Sequence, residues 1–119
     1  MQPYLQYYPR AANTFSQSIN STFSAEDPLI GQFIQSWGAQ AISATVRSDV
    51  KATAYLDVTG NELDDYSTVF GVASVELQPD QAQLLALPAP LLNLKAVRLR
   101  VVNRDRSFGR VWATISVTR

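Results

Sequence analysis

The sequence predicts an all-β domain, an antiparallel β-sandwich or jelly-roll-like barrel of about seven or eight short strands. Three observations lead to this fold class. Apolar and polar residues alternate along several short runs, turn-forming residues separate the runs, and no segment has the periodicity of a helix of ten or more residues. The 119 residues are enough for one such domain.

The first 22 residues are predicted to form an extended N-terminal arm, followed by the sandwich domain at 23–119. Pro3 and Pro9 disfavour a helix over the first ten residues. The aromatic side chains of this segment are Tyr4, Tyr7, Tyr8 and Phe15. Twenty extended residues span roughly 66 Å, which is enough to reach a neighbouring subunit. The alternative is a first strand that folds back onto the parent sandwich.

The clearest alternation in the chain predicts a hairpin over 41–58. In its first strand, one face carries Ile42, Ala44 and Val46. In its second strand, one face carries Ala52, Ala54, Leu56 and Val58. Turn-prone residues join the two strands, so the pair fits a hairpin with one buried face. Ahead of it, a short strand is expected between Pro28 and Gly38.

The remainder of the chain continues this pattern. A loop is expected at 60–65, strand-like stretches at 68–70 and 72–77, a short strand at 84–87, and a second hairpin from strands at 97–101 and 111–117. Both strands of this last pair are rich in β-branched residues, as strand positions usually are.

The composition removes several classes of activity. Cysteine and histidine are both absent, which excludes disulfides, Cys/His zinc sites, cysteine nucleophiles and Ser-His pairs. Neither Lys51 nor Lys95 lies in an S-x-x-K arrangement, and the five glycines form no phosphate-binding loop. We therefore expect a protein with no catalytic residue, no cofactor and no metal site.

An acidic segment is the one feature that could contradict that expectation. Its carboxylates are Asp57, Glu62, Asp64 and Asp65. Carboxylate oxygens can bind Ca²⁺, and a carboxylate pair can serve glycoside hydrolysis. The spacing matches no defined loop, so a solvated acidic turn is the preferred interpretation.

Charge is distributed unevenly along the chain, although the net charge is zero. Residues 1–94 carry three basic and nine acidic groups, whereas residues 95–119 carry seven basic groups and one acid. The basic end includes Arg98, Arg100, Arg104 and Arg106. These arginines either pair with acids on neighbouring strands or form a basic stripe that docks on an acidic partner.

The two tryptophans, Trp37 and Trp112, offer a further alternative. Trp112 lies on the face of its strand opposite the apolar set, and exposed aromatic residues on a sandwich can stack on sugars. Burial in a subunit interface or under the arm is the preferred interpretation for both residues.

No targeting or membrane signal is recognisable. The first ten residues lack a basic region followed by an apolar one, and no run approaches the ~18 apolar residues of a spanning helix. The neutral net charge disfavours binding that depends on phosphate neutralisation. We therefore expect a soluble protein made in a cytoplasm, with neither membrane nor nucleic acid as its partner.

Two stretches resemble small β-sandwich virion proteins of tailed bacteriophages. In 37–58, Arg47-Ser48-Asp49 ends one strand and Ala54-Tyr55-Leu56-Asp57 occupies the next, as in the strand-turn-strand unit of those proteins. The segment 96–117 is similar to their closing hairpin. The usual turn after the second strand is replaced by 59–65, which lacks its tryptophan, and residues 4–20 have no counterpart.

The resemblance implies a non-catalytic capsid decoration (cement) protein on the capsid surface of the virion, made in the host cytoplasm. Its partners would be the major capsid protein or neighbouring virion subunits, and it would be a homo-oligomer, a trimer or dimer. We expect the partner contacts at Tyr4, Tyr7, Tyr8, Phe15, Arg98, Arg100, Arg104 and Arg106. The alternatives are a tail, fibre or adaptor module of a virion, or a carbohydrate-binding β-sandwich module.

Overall fold

The computed structural model describes residues 14–36, 38–59, 70–87 and 95–119, whose strands pack as two antiparallel sheets face to face. The strands of these ranges are β1 (Thr14–Phe23), β2 (Leu29–Ile30), β3 (Ile34–Gln35), β4 (Ala41–Ser48), β5 (Ala52–Thr59), β6 (Phe70–Leu77), β7 (Gln83–Ala86), β8 (Ala96–Asn103) and β9 (Gly109–Thr118). None of the described residues is helical. The predicted all-β antiparallel sandwich is confirmed.

The strands divide into a four-stranded and a five-stranded sheet. The four-stranded sheet has the order β1-β9-β4-β7, and the five-stranded sheet has the order β2-β8-β5-β6, with β3 also paired to β8. Consecutive strands often lie in different sheets, because β4, β7 and β9 belong to one and β5, β6 and β8 to the other. No helix in the described part of the chain is long and apolar enough to cross a membrane.

The core lies between the sheets and is built from the inward-facing positions of the alternating runs. Fully buried side chains come from both layers, including Val46, Leu56, Val58, Val97, Leu99, Val101, Val111, Ile115 and Val117. These are the apolar faces that the alternation predicts for β4, β5, β8 and β9. Ala73, Val75 and Leu77 of β6 pack against the same core.

Both predicted hairpins are wrong, although their strands are correct. β4 pairs with β7 and β9, whereas β5 pairs with β6 and β8, so the connection at residues 49–51 crosses from one sheet to the other. β8 and β9 are separated in the same way. The physical reason is that the two sheets share one core. Two strands with one apolar face each therefore have the same pattern whether they pair side by side or pack face to face.

The predicted arm is replaced, within residues 14–22, by its alternative. This segment belongs to β1, which pairs with β9 over its whole length from Thr14↔Thr118 to Phe23↔Gly109. Its inward positions include Gln17 and Ser21 besides apolar residues, so its alternation is weak in the sequence. The arm predicted for residues 1–13, with Tyr4, Tyr7 and Tyr8, lies outside the described residues.

Candidate functional site

The first candidate site is an Arg–Asp cluster, which we define as Asp57, Arg98 and Arg100, on the outer face of the five-stranded sheet. The Asp57 side chain is 2% exposed and lies opposite Arg98 in the β5–β8 register. Arg98 Nε donates to Asp57 Oδ2 over 3.0 Å, and Arg100 donates from Nε to Oδ2 over 2.8 Å and from Nη2 to Oδ1 over 3.0 Å. One buried carboxylate thus fixes two arginines.

Aromatic rings complete this cluster. The Arg98 guanidinium lies 4.7 Å from the centroid of the Phe33 ring, and the Arg100 guanidinium lies 4.2 Å from that of Tyr55. The Asp57 hydrogen bond raises the pKa of Arg100, although burial opposes this rise. Arg100 is therefore charged and held in place, with its donors directed at Asp57.

Gly71 on the neighbouring strand leaves room for this arrangement. A Cβ atom at Gly71 would lie 3.3 Å from Asp57 Oδ1 and 3.4 Å from Arg100 Nη2. The β5–β6 register shifts between Leu56 and Asp57, so a bulge lies beside the carboxylate. Bulges of this kind redirect a side chain.

Arg104 and Arg106 extend this face towards the loop between β8 and β9. Arg104 donates from Nε to Thr53 Oγ1 and from Nη2 to the Tyr55 hydroxyl, each over 3.0 Å. Arg106 is exposed in the loop. The internal pairing that the sequence left open is therefore present for Arg98 and Arg100, whereas the partner contacts of all four arginines stay a prediction.

The acidic segment is divided by the structure. Asp57 is not part of a solvated turn, because it is buried in β5 and paired with arginines. Glu62, Asp64 and Asp65 lie outside the described residues. Asp57 is therefore not available as a ligand or catalytic carboxylate in the calcium-binding and acid–base alternatives.

The second candidate site is the Trp112 groove on the outer face of the four-stranded sheet. It has a volume of about 430 Å³. Its lining residues are Ser18, Ile19, Asn20, Thr45, Arg47, Ala82, Trp112, Ala113 and Thr114. The indole is half-buried, and the Arg47 guanidinium lies 4.1 Å from its ring centroid. Trp37, the other candidate for sugar stacking, lies outside the described residues.

The surface that continues from this groove is uncharged and rich in hydroxyl groups. Its cross-strand rows are Ser18–Thr114–Thr45, Ser16–Ser116–Ser43 and Thr14–Thr118–Ala41. The hydroxyl oxygens of Ser16 and Ser116 are 3.1 Å apart, and those of Thr14 and Thr118 are 3.4 Å apart. Pairs of hydroxyls can each still offer a donor or an acceptor to a ligand.

The third candidate site is the Phe15 pocket, which opens between the two sheets where β1 begins and β9 ends. It has a volume of about 340 Å³. Its lining residues are Phe15, Gln17, Gln32, Phe33, Ile34, Gln35 and Arg119. Phe15, one of the predicted partner residues, is 49% exposed here.

Sequence reasoning missed most of this chemistry. The sequence pattern indicates Arg47 only as the end of a strand. It contains no motif that links Gln17 with Arg119, because these residues lie at opposite ends of the chain. The Asp57 pairing did leave a signal, because alternation places Tyr55 and Asp57 on one strand face and Arg98 and Arg100 on another. Only the register of β5 with β8 brings these two faces together.

No protein-family model matches this sequence, and no curated protein matches it either. Among solved structures, the mitogen derived from Yersinia pseudotuberculosis matches with a TM-score of 0.55 and 4% identity, over 88% of this chain and 86% of the mitogen. This match shows a shared fold. The CBM22-2 xylan-binding domain of Paenibacillus barcinonensis Xyn10C gives a TM-score of 0.45 at 11% identity, over 90% of this chain and 92% of that domain.

A further match is part of a larger protein. It is the CBM22-1–GH10 structure of Clostridium thermocellum xylanase 10B with xylohexaose, with a TM-score of 0.47 and 11% identity. It covers 91% of this chain and 25% of the xylanase chain.

Proposed function

We propose that this chain is a non-catalytic carbohydrate-binding module whose ligand, a glycan chain, lies in the Trp112 groove. The observation that carries the proposal is the groove itself, where a half-buried indole lies in a mainly apolar surface that also carries hydroxyl, amide and guanidinium groups. An aromatic ring offers an apolar surface to the C–H groups of a sugar. The hydroxyls of Ser18, Thr45 and Thr114 supply hydrogen bonds to the sugar hydroxyls, and Asn20 can add its amide N–H groups, because its Oδ1 already accepts from Arg110.

Arg47 covers the indole ring, and moving it away costs little free energy. Its guanidinium stacks on the ring, but its ion pair with Asp80 is 3.8 Å long, and the two side chains are 41% and 68% exposed. Exposed pairs of this kind contribute only about 0–1 kcal/mol. A sugar can therefore displace the guanidinium from the ring and accept hydrogen bonds from its N–H groups beside it.

The groove continues into the hydroxyl rows, which supports an extended ligand rather than a single sugar. From Trp112 to Thr118 the strand covers about 20 Å at ~3.3 Å per residue. The three hydroxyl rows beyond Trp112 are uncharged, so a neutral polysaccharide meets no desolvated charge there. The absence of histidine and cysteine from the sequence and the commitment of Asp57 to two arginines support a binding role without catalysis.

The test is binding of neutral polysaccharides, namely xylan, mixed-linkage β-glucan, mannan, and cello- and chito-oligosaccharides, by isothermal titration calorimetry. Trp112→Ala should weaken binding at least about tenfold, as expected for an aromatic anchor. The matched control is Phe108→Ala, which removes an aromatic ring that is 80% exposed and lies outside the groove. Absence of wild-type binding across the panel, or equal binding by Trp112→Ala, would refute the proposal.

A second candidate, a structural virion subunit such as a capsid decoration protein, is favoured by the β1 edge of the four-stranded sheet. Among the described strands β1 ends the sheet order, and it is ten residues long and carries no charged residue. Natural proteins usually protect an edge strand of this length with charges, proline or a covering segment. An edge strand that no other described strand pairs with suits pairing with a second subunit, and multivalent contacts of this kind hold a shell together.

This candidate is tested by the molar mass in solution. Light scattering over a range of concentrations should show an oligomer that Ser16→Lys dissociates, because a charge on β1 opposes strand pairing. The control is Ala86→Lys on β7, the short strand at the other edge of the same sheet. A wild-type protein that is monomeric at every concentration would exclude edge pairing, and antibody labelling of particles would locate the subunit on head or tail.

A further inference from the structure

We propose that the Phe15 pocket is a second binding site, separate from the Trp112 groove, and that it takes a uronic acid, a sugar that carries a carboxylate. The pocket lies between the sheets, whereas the groove lies on an outer sheet face, and no residue lines both. Its volume of about 340 Å³ is at the lower end of the range for small-molecule sites. The ligand is therefore of sugar size rather than a long chain.

Arg119 supplies the charge that a carboxylate needs. Its Nη2 donates to the backbone oxygen of Gln35 over 2.6 Å, which orients the guanidinium at the pocket wall. None of the Asp and Glu side chains in the described ranges lies within ion-pair distance of Arg119. The remaining N–H groups of this exposed arginine match the paired oxygens of a carboxylate.

Gln17 provides the second argument, because one of its polar atoms has no partner among the described residues. Gln17 Oε1 is buried and accepts no hydrogen bond from any of these residues. A buried acceptor without a donor is uncommon and unfavourable. The amide can turn this oxygen towards the pocket without breaking a hydrogen bond at the oxygen. A sugar hydroxyl in the pocket can then donate to it.

The other walls favour a sugar acid over a simple carboxylate. Gln32 and Gln35 add two amides that can pair with hydroxyl groups, and Phe15 offers an exposed ring to the sugar C–H groups. Phe33 forms the opposite apolar wall and is braced from outside by Arg98. A ligand without hydroxyl groups would leave these amides unused.

The probes are D-glucuronate and D-galacturonate, with D-glucose and D-galactose as the neutral forms and acetate as the carboxylate alone. Binding is followed by ¹⁵N–¹H NMR, which resolves the side-chain amides of the glutamines. We expect the uronates to bind in the millimolar range, at least about tenfold more tightly than any of the three controls. Their binding should shift the signals of Gln17 and Gln32. Titration with trigalacturonate distinguishes a site for a free uronic acid from a site for the end of an acidic glycan chain.

Two variants test the assignment. Arg119→Gln should weaken uronate binding at least about tenfold, the loss of one charge-assisted pair. Gln17→Leu should weaken uronate binding while leaving the midpoint of urea unfolding equal or higher, because it removes an unsatisfied buried oxygen. A purely structural Gln17 would lower that midpoint and leave the uronate affinity unchanged.

The outcome is independent of the neutral-glycan proposal. Trp112→Ala should bind uronate as the wild type does, so a failure at the groove leaves this site unaffected. The inference is overturned if uronates at tens of millimolar shift no pocket signal, if they shift the groove signals instead, or if glucose or acetate binds equally well.

Discussion

Removing the negative charge of Asp57 should destabilise the protein more than any other single charge change among the described residues. The variant is Asp57→Asn, which keeps the size of the side chain. The amide presents its own N–H groups to one of two guanidinium donors, so at least one of the three charge-assisted hydrogen bonds is replaced by a donor–donor contact. Arg100 then loses the carboxylate that its Nε and Nη2 groups contact.

The magnitude follows from the burial of each partner. Breaking a buried ion pair by removing one partner costs about 3–5 kcal/mol. Here the arginine side chains are 18% and 28% exposed, so water compensates part of the loss. We therefore expect the free energy of unfolding to fall by about 3 kcal/mol, the lower end of that range. For a domain of this size the melting temperature should drop by about 10 °C.

The assay is urea unfolding followed by circular dichroism, with Asp80→Asn as the matched control. Asp80 also faces an arginine, but its pair with Arg47 is exposed, so this variant should lie within about 0.5 kcal/mol of the wild type. A double-mutant cycle between Asp57→Asn and Arg100→Gln should show clear coupling. If Asp57→Asn is as stable as the wild type, the arginines are held by Phe33 and Tyr55, and the argument from the carboxylate fails.

Two further predictions concern the start of β9 and the loop before it. Gly109→Ala should lower the free energy of unfolding by about 1–3 kcal/mol in urea titrations, since its Cβ would collide with Val50 and lie 2.8 Å from the Phe23 ring. In the preceding loop, the pKa of Asp105 is lowered, chiefly by a hydrogen bond from the Ser107 backbone N–H. Its carboxylate therefore stabilises the fold above the usual aspartate pKa, and this contribution is lost as the pH falls through the lower folded value. Melting temperatures of wild type and Asp105→Asn should converge below about pH 4, and a constant difference across the acid range would contradict this.

Four of the strands, β4, β5, β8 and β9, could be predicted from the sequence because alternation is a local property. The faces of β4, β5, β8 and β9 follow from the period of two alone. The assignment of a strand to a sheet is not local, because either sheet can bury the same face in the shared core. The register shows why both predicted hairpins failed: Ala44 lies opposite Ile115 of β9 and Ala54 lies opposite Val101 of β8, so β4 and β5 have different neighbours.

The candidate sites depend still more on tertiary structure. Trp112 could be predicted on an outward face, but its Arg47 neighbour depends on the pairing of β4 with β9. Gln17 and Arg119 line the same pocket because β1 pairs with β9 over its whole length, which places the end of β9 beside the start of β1. No spacing in the sequence encodes this proximity, so the Phe15 pocket could not have been predicted from the sequence.

The two outer faces of the sandwich differ in how much of their chemistry the protein itself uses. On the five-stranded sheet, Asp57 forms ion pairs with Arg98 and Arg100. Tyr55 and Thr53 accept hydrogen bonds from Arg104. A ligand there would have to compete with bonds that are already formed. The hydroxyl rows of the four-stranded sheet make hydrogen bonds mainly with one another and keep donors and acceptors available. The excess of arginine near the C-terminus is thus in part a structural device, and this is why we place ligand binding on the hydroxyl-rich four-stranded sheet and at its β1 edge.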